Sequence, residues 1–122
     1  MDSVVRENPK ITVLMPVNNC AQYIEEAVES ILNQTFKDFE FLIIDDASTD
    51  NTVSIIKRYS DSRIILIQKS KNTGLTSNLN YGISIARGKF IARMDGDDIS
   101  LPERFEKQIN YLENHPEVVV CG

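Results

Sequence analysis

Short apolar segments that do not alternate with polar residues recur along this chain, and a segment with helical periodicity follows each of the first four. The first lies at 11–15, is rich in β-branched residues and ends at Pro16. Comparable segments lie at 39–44, 64–67, 89–94 and 118–120. Strands buried on both faces of a parallel sheet have this composition. The connections are too long for hairpins, so we predict an α/β protein with a mostly parallel sheet and helices on both faces.

The connecting segments predict amphipathic helices. In segment 24–32, apolar residues recur at the spacing of one helical face. In the third helix the same spacing predicts an inward face made of Leu75, Leu79, Ile83 and Ala86. Ser100 and Glu103 have the spacing of a capping box, which predicts that the fourth helix begins there.

Length and charge limit the class of protein. A chain of 122 residues fits one domain with a buried core. We expect residues 1–10, which are polar, to form a flexible N-terminal segment and 11–122 to form the domain. The net charge of −5 argues against a nucleic-acid binder that works by neutralising phosphates.

The sequence also predicts the compartment. No apolar run approaches the roughly 18 residues of a membrane span, and the N-terminus lacks the apolar part of a signal peptide. Cys20 and Cys121 match no metal-binding spacing, and we expect two reduced thiols rather than a disulfide. We therefore expect a cytoplasmic protein, either free or peripheral to the inner face of the membrane.

Carboxylates cluster where two predicted strands end, at 45–46 and at 95–98. Like charges this close repel each other unless a cation bridges them or water solvates them. Asp95 and Asp97 are two residues apart, so on an extended segment both side chains lie on one side. Mg²⁺ and Mn²⁺ prefer such oxygen ligands. A solvated turn that caps the next helix remains the alternative at both places.

The carboxyl ends of parallel strands meet at one edge of a sheet, and ligands bind there where the strand order reverses. The loops at 16–19, 45–48 and 95–98 all follow predicted strands, so we expect them to form one site. Asn72 and Gly74 follow the third strand, and they could serve a turn or a ligand.

In order and spacing, several segments resemble the family 2 glycosyltransferases, which have the Rossmann-like GT-A nucleotide-binding fold. They are 12–19, 31–36, 43–50, 72–74, 80–82, 86–91 and 94–98 with Pro102. Each motif is weak alone, and it is their succession that carries the resemblance.

The resemblance implies roles for particular residues. Asp46 is similar to the acid that contacts the nucleotide base. Asp97 resembles the metal-binding acid of the D-x-D motif, with Asp95 directed to the ribose or to the metal waters, and the implied cofactor is Mn²⁺ or Mg²⁺. The predicted nucleotide-binding residues are Pro16, Val17, Asn19, Asp46, Asn72, Gly74 and Asp95.

The implied activity is an inverting transfer of a sugar from a nucleotide-sugar donor, commonly a UDP-sugar, to a saccharide or lipid-linked acceptor in polysaccharide biosynthesis. Many members carry an arginine where this chain has Leu79, so a phosphate contact from that helix is in doubt. The family's catalytic base and acceptor-binding segments lie beyond the position of Gly122. We expect the domain to continue there, and residues 1–122 alone not to transfer sugar. A homodimer is an open possibility.

The sequence also bears on three other functions. A phosphoacceptor receiver domain needs an acidic pair after the first strand, and 16–19 contains none. A dinucleotide-dependent oxidoreductase needs a glycine-rich turn there, and residues 16–30 contain no glycine. A non-catalytic module that binds sugar nucleotides remains open.

Overall fold

A computed structural model describes residues 9–96, 100–114 and 120–121 of the chain, and within them strands and helices alternate as predicted. The strands are β1 (Ile11–Val17), β2 (Phe39–Asp46), β3 (Ile64–Lys69), β4 (Phe90–Arg93) and β5 (Val120–Cys121). The helices are α1 (Ile24–Leu32), α2 (Thr52–Ile56), α3 (Leu75–Ile85) and α4 (Arg104–Asn114). None of the helices described is long and apolar enough to cross a membrane.

The strands form one sheet in the order β3-β2-β1-β4-β5, and every pairing is parallel. The predicted parallel sheet is therefore confirmed. β1 pairs with β2 from Ile11 opposite Phe39 onwards, and with β4 from Ile11 opposite Phe90. β2 and β3 lie on one side of β1, and β4 and β5 lie on its other side. The boundary between β1 and β4 is thus the point where the strand order reverses.

Helices cover both faces of the sheet, as predicted, but unequally. On one face α1, α2 and α4 pack against alternate residues of β1 and β2 and form the larger core. Its buried members include Val13, Met15, Phe41 and Ile43 of the strands and Ile24, Ile31, Ile56, Phe105 and Ile109 of the helices. On the other face α3 contributes Leu79 to a smaller core with Leu14, Leu42 and Ile44.

The predicted inward face of α3 is wrong apart from Leu79. Asn78 and Gly82 are the buried residues of this helix, whereas Leu75 and Ile83 are half exposed. The reason is the close approach of the helix to the sheet: a Cβ on Gly82 would collide with the side chain of Leu14. A helix that lies this close must present its smallest residue, and its larger apolar residues turn outwards.

The predicted capping box at the start of α4 is also wrong, because a residue from another element caps this helix. The buried Gln34 accepts a hydrogen bond from the Phe105 N–H (3.0 Å) at its Oε1. Its Nε2 donates to the carbonyl oxygen of Leu101 (2.7 Å). The hydroxyl of Ser100 instead accepts a hydrogen bond from Nη1 of Arg104 (3.0 Å). A carboxamide both donates and accepts, so one buried side chain holds the whole turn.

A buried carboxylate joins the strands at the opposite, amino-terminal edge of the sheet. Glu40 is 4% exposed, and its Oε2 accepts hydrogen bonds from Thr12 Oγ1 (2.6 Å) and the Arg87 N–H (2.7 Å). Its Oε1 accepts from Arg87 Nε at 3.0 Å. Burial acts to raise the pKa of Glu40, but these hydrogen bonds and the Arg87 charge outweigh it and lower the pKa. We call Glu40, Thr12 and Arg87 the lower knot.

Candidate nucleotide site

The loops after β1 and β2 are bound to each other at the carboxyl edge of the sheet. Asn19 Oδ1 accepts hydrogen bonds from the N–H groups of Thr49 (2.8 Å) and Asp50 (3.3 Å). The Asn19 N–H donates to Ser48 Oγ at 2.9 Å, and the residue has a left-handed φ of 52°. Asparagine tolerates that conformation better than most residues. The predicted site residue Asn19 therefore shapes the loop pair through its side chain.

Asp50 adds a second set of bonds between the same loops. Its Oδ2 accepts a hydrogen bond from the Ala21 N–H (3.2 Å), and its Oδ1 accepts from the N–H (2.9 Å) and hydroxyl (2.5 Å) of Thr52. The hydroxyl bond is the main reason that the pKa of Asp50 is lowered. Thr52 Oγ1 in turn accepts from the Cys20 N–H at 2.9 Å. The two loops thus form one rigid unit.

Asp46 ties the end of β2 to the turn before α3. Its Oδ1 accepts a hydrogen bond from the Thr73 N–H (2.8 Å), and its Oδ2 accepts from the Gly74 N–H (3.0 Å). Burial acts to raise the pKa of Asp46, but these bonds outweigh it and lower the pKa. Gly74 has a φ of 88°, which favours glycine at this turn. The structure thus brings together the predicted residues Asp46 and Gly74, and we call Asp46, Thr73 and Gly74 the upper knot. The predicted residue Asn72 is exposed and precedes Thr73 in the same turn.

A cavity of about 310 Å³ opens beside these loops, at the boundary between β1 and β4. It is lined by residues 16–20, Tyr23 and Gly96, so the predicted residues Pro16, Val17 and Asn19 all border it. None of the lining residues is an acid or a base. Asn18, which lines the cavity, joins it to the upper knot by donating from its Nδ2 to the Asp46 carbonyl oxygen at 2.6 Å.

Gly96 explains why glycine interrupts the acidic segment after β4. A Cβ at this position would lie 2.6 Å from Cys20 Sγ and 3.1 Å from a methyl carbon of Val17. Any larger residue would push the acidic segment away from the loop after β1. Burial raises the pKa of the free Cys20 thiol, and the carboxylates of Asp50 and Asp45 add to this effect. The thiol at this wall is therefore neutral.

Asp45 is the most deeply buried acid of this edge, with 3% of its surface exposed. Its Oδ2 accepts a hydrogen bond from the Ser48 N–H at 3.2 Å. Its Oδ1 has no hydrogen-bond partner among the described residues.

Asp95 lies two residues after β4 and next to Gly96, which lines the cavity, and its side chain is half exposed. Arg93 Nη2 lies 3.5 Å from its Oδ1, which is a long and solvated ion pair. Asp97, the predicted metal ligand, lies outside the described residues. Within the described residues no three acidic, histidine or cysteine side chains converge as a metal site. Mg²⁺ and Mn²⁺ usually take one or two carboxylates and complete their coordination with phosphate and water, so the donor chemistry fits a metal shared with a ligand.

Sequence reasoning missed Tyr23 and Gly96 as parts of the site. Tyr23 stands one residue before α1 and lines the cavity. The available signal was its place in the loop that follows the first strand, where ligands of parallel sheets bind. For Gly96 the signal was a glycine between acids, which marks a close backbone approach.

Comparison with known proteins identifies the family to which the chain belongs. The family model described as Glycosyl transferase family 2 matches residues 12–122. The chain is 45% identical over 121 residues to EpsE of Bacillus subtilis (strain 168), a protein named as a glycosyltransferase. This match covers 97% of the chain and 44% of EpsE, so the chain spans less than half the length of that relative.

Two solved structures show the same fold. S. aureus TarS 1–349 in complex with UDP-GlcNAc matches with a TM-score of 0.82 and 29% identity, over 87% of this chain and 32% of that one. The mannosyltransferase PcManGT from Pyrobaculum calidifontis, in complex with GDP-Man and Mn²⁺, matches with a TM-score of 0.78 and 26% identity, over 86% and 32%. These likenesses confirm the predicted GT-A fold.

Proposed function

Because this chain belongs to glycosyl transferase family 2, we propose that it forms the nucleotide-binding part of a metal-dependent, inverting glycosyltransferase. The observation that carries the proposal is the position of the cavity. It opens at the carboxyl edge between β1 and β4, where the strand order reverses and α/β sheets bind their ligands. We propose a UDP-sugar as donor and a saccharide or lipid-linked molecule as acceptor, in polysaccharide biosynthesis.

We place the base and ribose of the donor in the cavity, against Pro16, Val17 and Asn19. The volume of about 310 Å³ lies at the lower end of the range for ligand pockets, which suits a nucleoside better than a whole sugar nucleotide. The upper knot, held by Asp46 beside the cavity, fixes the turn at 72–74 that would border the ligand.

We place the diphosphate at the rim, where Asp95 and Asp97 would hold Mn²⁺ or Mg²⁺. The bound ion would offset the negative charge that develops on the leaving diphosphate. Leu79 packs into the smaller core, in the position where many relatives carry an arginine. With no cation from that position, and with two acids at the rim, we expect the binding of an anionic ligand to depend on the metal.

The base that deprotonates the acceptor hydroxyl stays unassigned. Backbone N–H groups donate to Asp46, and the Thr52 hydroxyl is the main donor to Asp50. These hydrogen bonds lower the pKa of each carboxyl, which makes each a weaker base. We keep the prediction that residues 1–122 bind donor without transferring sugar. A lipid-linked acceptor would place a cytoplasmic protein at the inner face of the membrane, and the homodimer stays a prediction.

Titration calorimetry with UDP tests this proposal. We expect binding in Mn²⁺ or Mg²⁺ and loss of most of that affinity in EDTA. Asp97→Ala should abolish the metal-dependent part of binding, whereas the neighbouring Asp98→Ala serves as a matched control and should retain it. Equal UDP affinity with and without metal would contradict the proposal.

Transfer is measured separately, with a chain that extends past residue 122. Comparing the anomeric configuration of the product with that of the donor by NMR tests inversion. A longer chain that binds UDP-sugars and transfers to none of a panel of saccharide and lipid-linked acceptors would favour the non-catalytic module instead.

A further inference from the structure

Tyr23 is an exposed aromatic residue at the mouth of the cavity. It lines the cavity and is 49% exposed. Its backbone is fixed, because the Tyr23 N–H donates a hydrogen bond to the Cys20 carbonyl oxygen at 3.0 Å and α1 begins at the next residue. A side chain at the N-cap of a helix holds its position better than one on a free loop.

The chemistry of the cavity walls suits one part of the proposed ligand better than the other parts. Its lining, residues 16–20 with Tyr23 and Gly96, carries no formal charge, and the Cys20 thiol is neutral. Pro16 and Val17 supply apolar surface. Such walls suit a flat, uncharged group, whereas a diphosphate needs the cation that we place at Asp95. A nucleobase is the flat, uncharged part of a sugar nucleotide.

Exposed tyrosines are common on protein surfaces and do not by themselves indicate a ligand. Tyr111 on α4 is exposed to the same extent, 51%, but it does not line the cavity. Tyr81 on α3 is 41% exposed, and Lys69 Nζ lies 5.1 Å from the centre of its ring. What distinguishes Tyr23 is therefore its place on the cavity wall, and Tyr111 provides a matched control.

We propose that the ring of Tyr23 packs against the nucleobase of the donor and supplies affinity for the base, but not for the diphosphate or the transferred sugar. This inference rests on the proposed function. Stacking of a base on an aromatic ring tolerates different bases because each has a π face. Tyr23 would then contribute affinity, while polar groups of the loops would choose among bases.

The test compares Tyr23→Leu, Tyr23→Phe and the control Tyr111→Leu by calorimetry with four probes. These are UMP, UDP, UDP-GlcNAc and inorganic pyrophosphate, each in Mn²⁺. We expect Tyr23→Leu to weaken UMP, UDP and UDP-GlcNAc about tenfold each and to leave pyrophosphate unchanged. Tyr23→Phe, which keeps the ring, and Tyr111→Leu should bind all four probes as the unmodified protein does.

Every other outcome contradicts either this inference or the proposed function. Unchanged UMP affinity in Tyr23→Leu would overturn the inference and leave the proposed function intact. A loss confined to UDP-GlcNAc would also overturn it, because the ring would then contact the sugar. Equal losses for pyrophosphate and UMP would show a general distortion of the site rather than base packing. If the unmodified protein bound none of the probes, the proposed function itself would fail.

Discussion

Strand β2 carries a buried carboxylate near each end, and the two are held in different ways. Glu40, in the lower knot, accepts hydrogen bonds from a hydroxyl, an N–H and the guanidinium of Arg87. Asp46, in the upper knot, accepts its hydrogen bonds from the uncharged N–H groups of Thr73 and Gly74, with the Thr73 hydroxyl near its Oδ1 at 3.3 Å. Both are 4% exposed, so burial does not distinguish them.

The difference lies in how a cation reaches each carboxylate. The guanidinium of Arg87 donates directly to Glu40 at 3.0 Å and compensates its charge. The groups that donate directly to Asp46 are uncharged, and Lys69 reaches the upper knot by donating to the Thr73 hydroxyl at 3.2 Å. We infer that Glu40 stabilises the fold, whereas Asp46 can also act on a ligand or its metal.

The largest effect on stability should come from Glu40→Leu, which removes the carboxylate of the lower knot. The substitution leaves the Thr12 hydroxyl and the Arg87 N–H without their acceptor, and we expect a loss of about 3 kcal/mol in the free energy of unfolding. UDP affinity in Mn²⁺ should change less than twofold, because the knot lies at the edge of the sheet away from the cavity. Urea denaturation and calorimetry measure the two quantities.

Glu26→Leu is the matched control, since Glu26 is an exposed acid on α1. It should change the free energy of unfolding by less than about 0.5 kcal/mol. If Glu40→Leu behaved like this control, Glu40 would contribute little to stability, and the contrast between the two knots would fail.

A smaller effect on stability, but a larger one on binding, is expected for Asp46→Asn. The amide keeps one acceptor and places an NH₂ group against an N–H, which should cost about 1–2 kcal/mol of stability. UDP affinity should fall in Mn²⁺ and in EDTA by the same factor, because the turn at 72–74 loosens while the metal ligands stay. Calorimetry under both conditions measures this, with the exposed Asp38→Asn as control. Lower stability with unchanged UDP affinity would make Asp46 a purely structural residue.

The smallest effect is expected for Arg87→Met, because the Arg87 side chain is 56% exposed and its N–H is kept. We expect a loss of about 0.5–1 kcal/mol at pH 7. The pKa of Glu40 is lowered from 4.5, so the ion pair stabilises the protein above that value and loses its effect as the pH falls through the folded pKa. The stability difference between the two proteins should therefore shrink from pH 7 to pH 3 in urea denaturation. A difference that stayed constant would show that the charge of Arg87 is not what stabilises the knot.

The sequence predicted most of the fold because its signals are local. Unbroken apolar runs such as 39–44 predicted the parallel strands, and the spacing in 24–32 predicted a helix. What failed depended on distant residues. The cap of α4 is Gln34, 71 positions from Phe105, and the inward face of α3 is set by how closely Leu14 allows the helix to approach.

The site was predicted in outline for the same reason. Strand ends place Pro16, Asp46 and Asp95 at one edge whatever the details of the loops. The sequence did not show that both carboxylate oxygens of Asp46 accept hydrogen bonds from the turn at 73–74, or that Tyr23 lines the cavity. Such contacts join residues from different segments, and they leave no periodic pattern in the sequence from which they could be predicted.

The central position of β1 has a consequence for how the protein acquires its site during synthesis. Phe39, the partner of Ile11 on one side, follows soon after it, whereas Phe90, its partner on the other side, comes about 80 residues later. At about 5–20 residues per second, the second edge of β1 stays unpaired on the ribosome for several seconds after the first is covered. Gly96, which closes the wall of the cavity, emerges later still. The cavity that we propose for the nucleotide is thus completed only after β4 has emerged and joined β1, and a nascent chain cannot capture a donor before both halves of the sheet have met.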